Sequence, residues 1–187
     1  EKMKDVSKTA RKNNLSIHLD GARFFNAVTA LNCKPEELAN CADSVSVCLS
    51  KGLGTPLGTV LVGSSNFIRK ARRNRKILGG SMRQVGIVAA AGHYALDNNI
   101  SRLVEDHNRA DFFANELREM NIGHVDSGTN MVFFTPKDGQ ANNLRSHLEK
   151  YGVKIGDQHP SIRMVLHRDV SDEGLDKALA GFKSFYQ

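Results

Sequence analysis

Apolar and polar positions alternate with a period of two in two short stretches of the N-terminal half. Leu15, Ile17 and Leu19 interleave with Ser16 and His18, which predicts a strand ending at Asp20 with a turn at Gly21. Ser44 to Leu49 (S-V-S-V-C-L) predicts a second strand. It runs into Ser50 and Lys51 and then into a turn containing Gly52, Gly54, Pro56 and Gly58. Thr59 to Val62 predicts a third. Helical spacing fills the intervals. Lys2 to Asn13 reads as a charged helix exposed on one side, and F-F-N-A-V-T-A-L after Arg23 as a helix packing back on the sheet. Pro35, with Glu36 and Glu37 behind it, opens a short helix: proline suits the first position and acids the positive dipole end. This alternation predicts an α/β fold, a sheet covered by helices.

From Ser65 the chain becomes helical and basic as far as Gly79-Gly80. Met82 to Leu96, with its run V-G-I-V-A-A-A-G, predicts a closely packed, buried helix. Ile100, Leu103, Val104, His107, Ala110, Phe113, Ala114 and Leu117 mark a long amphipathic helix over 100–120, a natural bridge between domains. Asn130 to Thr135 predicts a strand stopped by Pro136. Ala141, Leu144, Leu148 and Tyr151 mark a helix closed by Gly152. Val153 to Ile155 and Ile162 to Leu166 predict short strands, and Ser171 caps a final helix carrying Leu175, Leu179, Phe182 and Tyr186 on one face. The expected organisation is a large-domain portion over 1–98, a connecting helix over 99–124 and a small α+β domain over 125–187.

Composition narrows the classes. With 187 residues, 40% of them hydrophobic, the chain can bury a substantial core. No apolar run approaches the ~20 residues of a membrane helix, and the first residues lack both an initiator Met and a signal peptide's apolar segment. Cys33, Cys41 and Cys48 are odd in number and lack CxxC spacing, which argues against a disulfide framework and a zinc site and for a reducing, cytoplasmic compartment. No His/Asp/Glu cluster has transition-metal spacing, so no metal is expected. The net charge of +6 and the six basic residues between Arg69 and Lys76 admit nucleic acid or an anionic surface. Aromatic residues barely interleave with that run, however, and a charge run is usually a solvated face.

The chemistry lies at the two strand ends. In open α/β sheets the ligand crevice lies beyond the carboxyl ends of the strands. Asp20 and Lys51 would both emerge there if their strands are parallel. A lysine that can bond to an aldehyde, and a carboxylate that keeps a pyridine nitrogen protonated, are the pair that pyridoxal phosphate chemistry requires.

The stretches H-L-D-G-A-R, S-K-G-L-G-T-P-L-G and R-K-I-L-G-G-S-M-R-Q-V-G-I, with T-N-M-V and I-R-M-V-L-H-R-D-V-S, resemble low-specificity L-threonine aldolases. These are aspartate-aminotransferase-like, fold-type-I enzymes, and the motifs fall in the family's order across most of the chain. The resemblance implies a PLP-dependent transferase fold, part of the large-domain sheet followed by a small α+β domain, with pyridoxal 5′-phosphate as cofactor. It implies cleavage of L-threonine and L-allo-threonine to glycine and acetaldehyde. Lys51 and Asp20 would hold the cofactor, assisted by Ser50 and Arg83, while Arg23, Arg163 and Lys76 would bind the substrate. Ser81 and Asn74 stand where the family usually has a glycine and an aromatic residue. Members are longer and usually homotetramers, dimers of dimers with sites at the dimer interface. The chain is accordingly expected to be a C-terminal portion, inactive in isolation, with the general base (a histidine or water) outside it. Two alternatives remain at this point: another fold-type-I lyase working by β-elimination, or a basic nucleic-acid or anion-binding module with a vestigial cofactor site.

Overall fold

The computed structural model describes residues 1–137, 139–156 and 161–187. They divide into two units, Glu1–Leu103 and Val104–Gln187. In the first, helix α1 (Lys2–Lys12) leads to β1 (His18–Gly21), helices α2 (Phe24–Leu31) and α3 (Pro35–Ala39) lead to β2 (Ser44–Cys48), and β3 (Thr59–Gly63) follows. The three strands form one sheet in the order β1-β2-β3. β1 and β2 are parallel, with Asp20 opposite Ser46 and Gly21 opposite Val47, whereas β3 is antiparallel to β2.

β1 starts later than its alternation predicts. Leu15 is 61% exposed, and the Ile17 amide donates to the Asp43 carboxylate at 2.7 Å, a side-chain clasp where the pattern predicts ladder pairing. At the other end, Gly21 is buried so closely against β2 that a Cβ there would collide with the Ser46 carbonyl oxygen. Only a residue without a side chain allows this approach. Phe24 and Val28 from α2 and Leu38 from α3 join Val45, Val47 and Leu49 from the β2 segment in the core, with Leu53, Ala95 and Leu103 completing it.

Helix α4 (Ser65–Ile77) begins at Ser64, whose hydroxyl accepts the Phe67 amide at 3.3 Å, and none of its residues is buried. The basic run is thus a solvated face in this chain. α5 (Gly86–Asn98) departs from expectation. It starts four residues later than the apolar pattern, and only Gly92 and Ala95 are buried; Ile87 is 80% exposed. The close packing that its small residues predict is confined to one side, where a Cβ on Gly92 would lie 3.2 Å from Leu49 Cδ1.

The second unit holds α6 (Leu103–Glu119) along most of its length, with Ala110, Phe113, Ala114 and Leu117 in its core. Its antiparallel sheet has the order β4 (Gly123–Gly128), β5 (Met131–Pro136), β6 (Ile162–Val165). β4 escapes a hydrophobicity pattern because G-H-V-D-S-G carries a single large apolar residue; pairing with β5 defines it. Val153–Ile155 is not a strand. It follows the left-handed Gly152 (φ 74°) that ends helix α7 (Ala141–Glu149), and its apolar residues pack against the core without ladder partners. Helix α8 (Asp172–Tyr186) is capped by Ser171, whose hydroxyl accepts the Gly174 amide at 3.0 Å. Phe182 meets Phe134 edge-to-face, with ring centroids 5.4 Å apart.

Candidate active site

Parallel pairing of β1 with β2 brings the carboxyl ends of both strands to one edge of the first sheet. Asp20 is exposed there, and its Oδ1 accepts the Ala22 amide at 3.0 Å, which turns the chain towards α2. Arg23, half-buried and engaged in an interaction of its own, is the residue immediately before that helix.

At the end of β2 the segment from Leu49 to Gly58 folds back on itself. The Leu49 amide donates to the Gly58 carbonyl at 3.0 Å, and the Thr55 amide donates to the Leu49 carbonyl at 3.2 Å. The Gly54 amide, in a residue with φ 73°, closes a tight turn onto the Lys51 carbonyl at 2.8 Å. The Thr55 hydroxyl donates to the Leu57 carbonyl at 3.1 Å. Leu53 is driven into the core, while Ser50 and Lys51 stay exposed. Among the described residues the Lys51 amine has neither a hydrogen-bond nor an ion-pair partner, so it is available to an incoming group.

Cys48 joins this group, with its Sγ 3.6 Å from Ser50 Oγ. Burial pushes the Cys48 thiol up, but the Ser50 hydroxyl and backbone, the Lys51 charge and Thr59 together outweigh it and leave the thiol below its ordinary range. Cys48, Cys33 and Cys41 are all free.

The remaining sequence-predicted residues are distributed more widely. Lys76 lies in the last turn of α4, and Arg83 in the segment before α5; both are exposed, and neither makes an ion pair among the described residues. Arg163 is exposed on β6 in the second unit, opposite Phe133 of β5. Sequence reasoning missed Asn99. Its side-chain amide donates to the Leu53 carbonyl at 2.7 Å in a buried contact spanning 46 residues. Nothing in D-N-N-I marks such a contact, since it depends on where the C-terminal end of α5 falls. No group of three or more His, Cys, Asp or Glu side chains could hold a metal ion among the described residues. Nor is any helix there long and apolar enough to cross a membrane.

A mixed α/β unit with a three-stranded sheet, followed by a small α+β unit, has the fold-type-I pyridoxal phosphate enzyme architecture. Solved structures share it. The threonine aldolase of Leishmania major matches with a TM-score of 0.81 at 16% identity, covering 99% of this chain and 56% of that one. N-acetylornithine aminotransferase from Stenotrophomonas maltophilia matches with a TM-score of 0.66 at 19% identity, covering 98% of this chain and 51% of that one. The model of the beta-eliminating lyase family matches residues 1–138, and the chain belongs to that family. The low specificity L-threonine aldolase of Escherichia coli (strain K12) is 44% identical over 99% of this chain and 55% of its own length. The low-specificity L-threonine aldolase 1 of Arabidopsis thaliana is 41% identical over 95% of this chain and 52% of its own. The chain thus spans about half the length of the curated relatives it matches. The beta-eliminating lyases and threonine aldolases depend on pyridoxal phosphate.

Proposed function

We propose that this chain carries the lysine, carboxylate and arginine groups of a pyridoxal phosphate-dependent aldolase that cleaves L-threonine and L-allo-threonine to glycine and acetaldehyde. The observation carrying this reading is the parallel register of β1 and β2, which sets Asp20 and Lys51 at one sheet edge. The residues present suit the cofactor. Lys51 offers an exposed amine for its aldehyde, unpartnered among the described residues, Asp20 an exposed carboxylate for its ring nitrogen, and Ser50 a hydroxyl next to Lys51 in the chain.

When bound, pyridoxal phosphate supplies a protonated ring that accepts electron density from the substrate's α-carbon. Lys51 would hold the cofactor through its aldehyde, which requires the amine in its deprotonated form. Asp20 holds the proton on the ring nitrogen. Arg23 and Arg163 present planar forks that match the α-carboxylate bidentately. Lys76 would add positive charge for the substrate, and Ser50 and Arg83 would help hold the cofactor. Residues 1–98 form the cofactor-binding portion, 99–124 the segment containing α6 and 125–187 the small domain, although α6 itself spans Leu103–Glu119 and β4 already begins at Gly123. The working protein is a cytoplasmic homo-oligomer, a dimer of dimers.

The family's description as beta-eliminating lyases supports a second reading, β-elimination. Product analysis separates the two. With the protein expressed from its complete coding sequence, threonine should yield acetaldehyde and glycine; 2-oxobutyrate with ammonia would instead establish elimination. Borohydride should fix the cofactor on the Lys51 peptide, and Lys51→Ala should abolish both fixation and turnover. Asp20→Asn should retain a bound cofactor but lower kcat by about a hundredfold or more, the scale on which a preorganised electrostatic partner acts. Fixation at another lysine would overturn the assignment.

A further inference from the structure

The Lys51 loop is closed by its own hydrogen bonds, Leu49 to Gly58, Thr55 to Leu49, Gly54 to Lys51 and Thr55 to Leu57. These fix its shape. Its two ends are carried by the antiparallel pairing of β2 with β3, where Cys48 stands opposite Thr59. Three contacts tie the stretch around Lys51 to the rest of the unit. Leu53 is 3% exposed, plugged into the core. Gly52 lies flat against Asn26 and Leu103, where an added Cβ would stand 3.0 Å from both Asn26 Oδ1 and Leu103 Cδ2. The third contact is the Asn99 amide on the Leu53 carbonyl, at 2.7 Å.

Asn99 contributes a directional hydrogen bond to this set. It is 8% exposed at the C-terminal end of α5, where its own backbone amide is held by the Ala95 carbonyl at 2.9 Å. Its side chain has two torsions, so a bond from it to a carbonyl two residues beyond Lys51 transmits the position of α5 to the loop. The apolar plug of Leu53 allows sliding, whereas a hydrogen bond weakens steeply off its axis.

We propose that Asn99 is a positioning residue for Lys51, acting through the Leu53 carbonyl to hold the amine in register with Asp20 across the β1–β2 edge. The inference rests on the assignment of Lys51 as the cofactor lysine. Misplacement of a reacting group by about 1 Å costs on the order of a hundredfold in rate, so a device fixing this loop has a function separate from stability.

The test uses Asn99→Leu, which keeps the side-chain shape and removes the donor, in the protein expressed from its complete coding sequence. Leu148→Ala, in the core of the second unit, serves as a destabilised control. Three quantities are measured: the Kd for pyridoxal phosphate by absorbance titration, the pH midpoint of the bound cofactor's absorbance, and Tm. The expected result is a Kd raised about tenfold or more, with a displaced pH midpoint, in Asn99→Leu. Leu148→Ala should lower Tm and leave both cofactor quantities unchanged. If Asn99→Leu lowers Tm alone, as the control does, Asn99 is merely structural and the inference falls. Should Asn99→Leu not fold, Asn99→Ala gives the same comparison. Borohydride fixation of the unsubstituted protein keeps the two readings apart: labelling away from Lys51 sinks the cofactor assignment, whereas labelling at Lys51 with unaltered Asn99 variants sinks only this inference.

Discussion

Cys48 and Lys51 lie three positions apart, and the charge of one bears on the chemistry of the other. The thiol is buried enough to be raised, yet Ser50, Lys51 and Thr59 bring it below its ordinary value. More of it is therefore thiolate near neutral pH than of an unperturbed cysteine. The pH midpoint for alkylation of Cys48 by iodoacetamide is expected below that of a free thiol, and Lys51→Ala should move it upwards by removing the coulombic contribution. An unmoved midpoint in Lys51→Ala would mean that the thiol does not sense the amine. At this scale the sequence was informative about chemical groups and silent about their supports. Asp20 and Lys51 stand out because each follows an alternating strand pattern, and Gly21 because it turns the chain behind Asp20. The reason Gly21 must be glycine, the Ser46 carbonyl pressed against it, belongs to the neighbouring strand and exists only once β1 and β2 pair.

Elements were legible wherever one face alone is buried. The final helix shows this, with Leu175, Leu179 and Phe182 in the core as their spacing requires. β4 was not legible, since hydrogen bonding to β5 creates it from a polar segment. Nor was the exposure of α5, because small apolar residues report that something can approach closely without reporting whether it does. Helix α6 adds a titratable group to this scale. His107 is buried, and burial lowers its pKa, partly opposed by Asp106 and Asp111. In the unfolded chain this histidine takes up a proton near 6.5, before the folded protein does. Proton uptake then favours unfolding, so its contribution to stability is present above that pH and is lost as pH falls through the folded value. Tm should therefore drop between pH 7.5 and 5.5, and His107→Gln should reduce that drop. A drop of unchanged size would assign the pH dependence to other groups.

At the scale of the molecule, the first unit leaves an apolar stretch uncovered from the end of α4 to the first turn of α5. Ile77, Leu78, Met82, Val85 and Ile87 are all exposed, Leu78 to 84%. Scattered apolar residues on a surface need no explanation, but five within eleven positions do. The same stretch contains Lys76 and Arg83, the two basic residues proposed to reach substrate and cofactor. A surface that is at once apolar and furnished with site residues suits a subunit interface close to the site. It suits a nucleic-acid surface poorly, since binding there would draw on the arginines of α4 and leave the apolar residues wet. The protein expressed from its complete coding sequence should therefore have a molar mass in solution that is a multiple of its chain mass. Leu78→Asp with Ile87→Asp should lower that multiple in light scattering, because burying two carboxylates in an apolar interface is costly. Cofactor affinity should fall in parallel if Lys76 and Arg83 act across the interface. An unchanged mass would mean that the stretch is covered within one subunit, and the proposed roles of Lys76 and Arg83 would then belong to the site of their own chain.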